Sequence, residues 1–81
     1  MNNREKMYKI LSDVLGIDIN AIDGSTGLEN VESWDSFNVI LLVSEFEQAF
    51  NIKFTMPEVE CFKSVKDITD VLKKRNVEFL D

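Results

Sequence analysis

Seventeen consecutive residues, Trp34 to Phe50, contain neither glycine nor proline, carry an Asp-Ser pair near their start and are rich in apolar side chains. A run of that length without a breaker, led by residues that can cap, obliges the chain to place a helix there. With Asp35 or Ser36 at the N-cap, a side-chain oxygen accepts an otherwise unpaired backbone N–H, and each later residue turns about 100° further. Val39, Leu42, Val43, Phe46 and Phe50 then share one apolar face. Phe37, Ile40, Leu41, Ser44 and Gln48 form a second stripe about 200° away. The first stripe stays apolar throughout and the second turns polar after Leu41, so the first faces inward. That leaves Phe37, Ile40 and Leu41 as an outward patch beside the Ser36 hydroxyl, rimmed by Glu45 and Glu47, as a transient protein contact would be. Two plainer readings stand beside this one: a loop covers the patch, and Ser36 is only a cap.

The remainder of the chain reads as a support for that helix. Residues 3–15 carry Met7, Ile10, Leu11 and Val14 at helical spacing, and Gly16 ends them as a C-cap. Residues 17–34 form a long connection with a turn at Asp23-Gly24-Ser25, and Ile17, Ile19, Ile22 and Leu28 predict that it packs upon itself. Asn51 closes the central helix. Thr55 and Glu58 then make a capping box with Pro57 in the first turn, predicting a short helix over 56–62 with Cys61 as a small core or boundary residue. Ser64 caps a last helix to about Arg75, with Val65, Ile68, Val71 and Leu72 on one face and Lys73, Lys74 and Arg75 suiting its negative end. Residues 76–81 form a tail in which Phe79 and Leu80 either dock or stay flexible. The expectation is one all-α domain over 1–81, a four-helix bundle with three longer helices and a short third.

Charge and chemistry narrow the function classes. Nine Lys and Arg against fifteen Asp and Glu give a net charge of −6, which disfavours nucleic acid and anionic membrane. Residues 17–52 hold seven acids and no base, so a partner meeting Ser36 should be basic there. No run approaches a membrane span, and the N-terminus lacks an apolar signal region, which predicts a soluble, cytoplasmic monomer without membrane insertion. One cysteine excludes an intramolecular disulfide framework. With no histidine, Ser-His and Cys-His pairs cannot form. Metal-ligand spacing is poor as well: Asp18, Asn20 and Glu29 fit three places of a calcium loop, but Ile22 and Asp23 stand where a ligand and a glycine belong. No glycine-rich phosphate loop is present. The chain is therefore expected to be no enzyme, with no catalytic residue and no metal.

At Trp34-Asp35-Ser36-Phe37 the sequence resembles the acyl and peptidyl carrier proteins, whose modified serine opens the second of four helices in an Asp-Ser-Leu motif. The similarity extends over nearly the whole chain, through Leu11, Leu15, Ile19, Leu28, Phe46-Glu47-Gln48-Ala49-Phe50, Phe54 and Ser64-Val65-Lys66-Asp67-Ile68. The resemblance implies that a phosphopantetheinyl transferase (holo-carrier synthase) attaches 4′-phosphopantetheine to Ser36, with Asp35 as a transferase contact. It implies further that Phe37, Ile40, Leu41, Glu45 and Glu47 dock loading and condensing enzymes. By the same analogy Val43, Phe46, Phe54, Val59, Phe62 and Ile68 line an acyl pocket.

Departures from the family pattern refine that expectation. Asn38 and Leu41 stand where housekeeping fatty-acid carriers typically show acids, and Phe37 where leucine is usual. Fewer charges and more apolar surface imply weaker steering and a more hydrophobic contact. Together with Trp34, they resemble stand-alone carriers of specialised or secondary pathways, fatty-acid, polyketide or other, more than general lipid metabolism. Asp-Ser-Phe is also similar to D-alanyl carriers, which keeps an aminoacyl or peptidyl cargo open. The competing class is an unmodified helical adaptor docking through the same patch.

Overall fold

The computed structural model describes residues 2–79. Leu80, named above as a docking candidate, lies outside them. Among the described residues four α-helices follow in order: α1 (Asn3–Leu15), α2 (Ser36–Phe50), α3 (Met56–Glu60) and α4 (Val65–Lys74), with a 3-10 turn at Ile19–Ala21. This is the all-helical bundle with a short third helix that the periodicity predicts.

Each helix is bounded by local chemistry. Asn2 accepts the Glu5 amide while the Glu5 side chain accepts the Asn2 amide, and Gly16 closes α1 in the left-handed region at φ 68°. Asp35 caps α2 and Asn51 ends it at φ 54°. Thr55 and Glu58 form the expected capping box at α3, and Ser64 caps α4. The short helix ends two residues sooner than the sequence predicts, because the Cys61 and Phe62 amides already turn back onto Glu58 and Val59. Cys61 is correspondingly exposed, not a core or boundary residue.

The core is built from one face of each long helix. Met7 and Leu11 of α1, Leu42 and Phe46 of α2, and Ile68 and Leu72 of α4 are fully buried, each contributing roughly 1.5–3 kcal/mol of transfer free energy. Val39, Val43 and Phe50 pack half-buried around them, so the first stripe of α2 does face inward. The α1–α2 connection meets expectation only in part. Ile22 is buried and Ile17 half-buried, but Ile19 and Leu28 remain exposed. This segment is held by hydrogen-bonded turns within itself, such as Thr26 N to Asp23 O and Val31 N to Gly27 O, and also by pairing with a second segment. Leu28 N donates to Lys63 O at 2.9 Å, Val65 N to Thr26 O at 2.8 Å and Lys66 N to Gly24 O at 3.1 Å. After α4, Val77 is buried, Asn3 Nδ2 donates to Glu78 O at 2.8 Å, and the Arg4 guanidinium lies 5.4 Å from the Phe79 ring. The tail thus docks on α1 as far as Phe79.

Candidate functional site

The end of the bundle that carries Ser36 is anchored by the three residues on its flanks. Ser33 Oγ donates to Leu15 O at 2.8 Å, tying the approach to the end of α1. Trp34 is buried, and its indole Nε1 donates to Phe62 O at 3.1 Å, tying it to the segment between α3 and α4. Asn38 Nδ2 reaches back to Ser33 O at 2.8 Å. The start of α2 is therefore fixed against the ends of α1 and α3 by neutral hydrogen bonds, each worth about 1 kcal/mol net.

On that platform Asp35 Oδ1 accepts the Asn38 amide at 2.8 Å, leaving Ser36 as the first helical residue. Ser36 is exposed, and among the described residues its hydroxyl has no hydrogen-bond partner. The amides of Ser36 and Phe37 are likewise unpartnered, as the first N–H groups of a helix are. A free hydroxyl, two free amides and the positive end of the helix dipole meet at one exposed point.

An open cleft of about 540 Å³ begins at Ser36. Val39 and Ile40 of α2 form one wall, and Met56, Val59 and Phe62 the other. Leu28 and Trp34 complete the apolar lining, with the Asp35 and Glu60 side chains as its acidic members. Of the residues proposed for an acyl pocket, Val59 and Phe62 reach this cleft. Phe46 and Ile68 are fully buried in the core, while Val43 and Phe54 pack half-buried against it. The Phe54 and Phe62 rings meet edge-on at 5.1 Å.

The outward patch is real surface. Phe37 is 69% exposed, Ile40 64% and Leu41 41%, and Met56 adds 68% exposed from across the cleft. No described loop covers them. Glu45 is exposed, but Glu47 is half-buried and its Oε2 accepts the Phe54 amide at 2.9 Å, so that carboxylate fastens the end of α2 to the segment before α3. Sequence reasoning missed Leu28 and Met56 as cleft residues, and Trp34 and Asn38 as its supports. For Leu28, Met56 and Trp34 the one visible signal was an apolar side chain in a loop or next to a cap; for Asn38 there was none.

Across α3 from the cleft, Glu58 meets Arg75. Arg75 Nε donates to Glu58 Oε2 at 2.9 Å and its Nη2 to Oε1. The arginine, with help from the Thr55 amide, holds the Glu58 carboxyl down at about 2. Among the described residues no group of three or more Asp, Glu, Cys or His is gathered to hold a metal ion. No described helix is long and apolar enough to cross a membrane.

The family described as phosphopantetheine attachment site matches residues 5–72. The chain is 34% identical over 73 residues to the acyl carrier protein of Buchnera aphidicola, covering 90% of this chain and 94% of that one. It is 32% identical over 69 residues to the acyl carrier protein of Syntrophobacter fumaroxidans, covering 85% of each. To that of Clostridium acetobutylicum it is 30% identical over 74 residues, 91% of this chain and 96% of the relative.

Proposed function

The chain belongs to the acyl carrier protein family, whose members are non-catalytic and bear phosphopantetheine, and from that premise we propose that Ser36 is the attachment residue. The observation that carries the assignment is the exposed, unpartnered hydroxyl at the first position of α2. The surroundings fit the group on physical grounds. A phosphodiester on Ser36 Oγ meets the unpaired amides of Ser36 and Phe37 and the dipole end, together worth about 0.3–1 kcal/mol when exposed. The Asp35 carboxylate, one oxygen on the Asn38 amide, presents its other oxygen to a transferase. When bound, the group supplies a long arm ending in a thiol that carries cargo as a thioester.

The chain's own residues then have three tasks. Ser33, Trp34 and Asn38 hold the tip of α2 in place, so that a partner meets a fixed Ser36. Phe37, Ile40 and Leu41, with Glu45 at their edge, give that partner a mainly apolar landing surface. Val59 and Phe62, with Met56 and Leu28, flank the apolar cleft beside the attachment point. The scarcity of acids on α2 supports service in a specialised acyl pathway, with an acyl or aminoacyl cargo, over general fatty-acid elongation.

Incubation with a broad-specificity phosphopantetheinyl transferase and a fluorescent coenzyme A analogue tests the attachment. One label per chain is expected on the wild type and none on Ser36→Ala. Equal labelling of both proteins moves the site elsewhere, and an unlabelled wild type across several transferases favours the unmodified adaptor.

A further inference from the structure

Helix α3 is a five-residue strap without a single buried side chain, suspended between two anchored aromatics. On its N-terminal side Phe54 is half-buried, with its amide on the Glu47 carboxylate. On its C-terminal side Phe62 is buried, and its carbonyl accepts the Trp34 indole. Between those anchors, Met56 and Val59 face the cleft that starts at Ser36, while Glu58 reaches away from it to the end of α4. A helix this short has little stability of its own, so its position depends on what holds its outer side.

We propose that the Glu58–Arg75 pair is a latch that holds α3 against the end of α4 and thereby sets the width of the cleft beside Ser36. Three features make this pair more than a surface ion pair. It is bidentate, with two guanidinium N–H groups on two carboxylate oxygens. Its partners are only 22% and 32% exposed, against 52% to 74% for the Lys9–Asp13 and Lys66–Asp70 pairs. It also joins two elements, whereas those other pairs lie within single helices. Glu58 Oε1 accepts the Thr55 amide at 2.8 Å as well, so one carboxylate both starts the strap and fastens it. With the latch broken, the strap swings on its Phe54 and Phe62 anchors and the cleft widens. The latch's consequence for an arm rests on Ser36 bearing one, but the latch itself does not.

Amide hydrogen exchange by NMR on the protein carrying no arm separates the two claims. Glu58→Gln preserves a capping-box acceptor for the Thr55 amide and removes the ion pair. Arg75→Gln removes the same pair without touching α3. In both variants the amides of Val59, Cys61 and Phe62 should exchange about fivefold to tenfold faster than in the wild type, while those of Leu11 and Leu42 change less than twofold. Unchanged exchange at Val59, Cys61 and Phe62 in Arg75→Gln overturns the proposal. Acceleration by the same factor in α1, α2 and α3 overturns it too, since that reports global destabilisation. Either result leaves the assignment of Ser36 untouched.

Discussion

Gly27→Ala should destabilise the protein by about 2–3 kcal/mol, although the usual effect of such a change has the opposite sign. Gly27 does not occupy the left-handed region, and at such a position alanine ordinarily stabilises by roughly 0.4–1 kcal/mol, by restricting the unfolded chain. Here the obstacle is space. A Cβ on Gly27 lies 2.3 Å from Lys63 O and 2.7 Å from Ser64 Cα, both backbone atoms. Restoring ordinary contact separates the two segments by about 1 Å. The bonds from Leu28 N to Lys63 O, now 2.9 Å, and from Val65 N to Thr26 O, now 2.8 Å, then stretch beyond hydrogen-bonding range. Two lost backbone bonds cost roughly 1–1.5 kcal/mol each, and the melting temperature should fall by about 10–20 °C for a domain of this size. Trp34 is the single tryptophan and is buried, so its emission reports urea unfolding directly. Gly24→Ala is the control: its Cβ finds only Lys66 Cβ at 3.9 Å, and it should be neutral or mildly stabilising. A Gly27→Ala protein as stable as the wild type refutes the close-approach argument.

Further expectations follow from the same geometry. Trp34→Phe removes the indole donor and leaves the Phe62 carbonyl short of a partner, so urea unfolding followed by circular dichroism should show a loss of about 2–3 kcal/mol. The Glu58 carboxyl is lowered from 4.5 to about 2, chiefly by its hydrogen bonds from Arg75. A depressed acid stabilises the fold fully above its unfolded value, so this contribution is complete above about pH 4.5 and lost as pH falls toward 2. Melting curves of Glu58→Gln should therefore lie below the wild type at neutral pH and converge with it in acid; a constant gap across the range contradicts the linkage. Ile40→Glu, on an exposed side chain, should leave stability within about 0.5 kcal/mol. It should weaken turnover by a cognate downstream enzyme severalfold, while transferase labelling persists; unchanged turnover removes Ile40 from the docking surface.

The bundle was legible because its long helices announce themselves locally. Met7, Leu11, Ile68 and Leu72 recur at helical spacing and each helix begins at a capping side chain, so periodicity and punctuation agree. The tip of α2 was legible for the same reason. What escaped were the features joining distant segments. A buried tryptophan N–H needs an acceptor, but that acceptor is the Phe62 backbone carbonyl, and every residue offers one. Gly27 passed unmarked in a long connection, since nothing local signals a close approach to Lys63. The Glu58–Arg75 pair was concealed by two satisfactory local accounts: a capping box explained the glutamate, and the helix dipole explained the arginine. Cys61, flanked by apolar Phe62, pointed inward by composition, but the early end of α3 turns it to solvent.

The central claim is that a single hydroxyl at the start of α2 serves as the covalent tether. Its most direct test is tandem mass spectrometry of the protein purified from its own cells, reading which residue bears the prosthetic group. The account predicts one phosphopantetheine per chain, on the peptide containing Ser36 and on that residue within it. Its presence on Ser33, Ser44 or any other residue, or a Ser36 peptide found only unmodified in cells where other carriers are loaded, contradicts it.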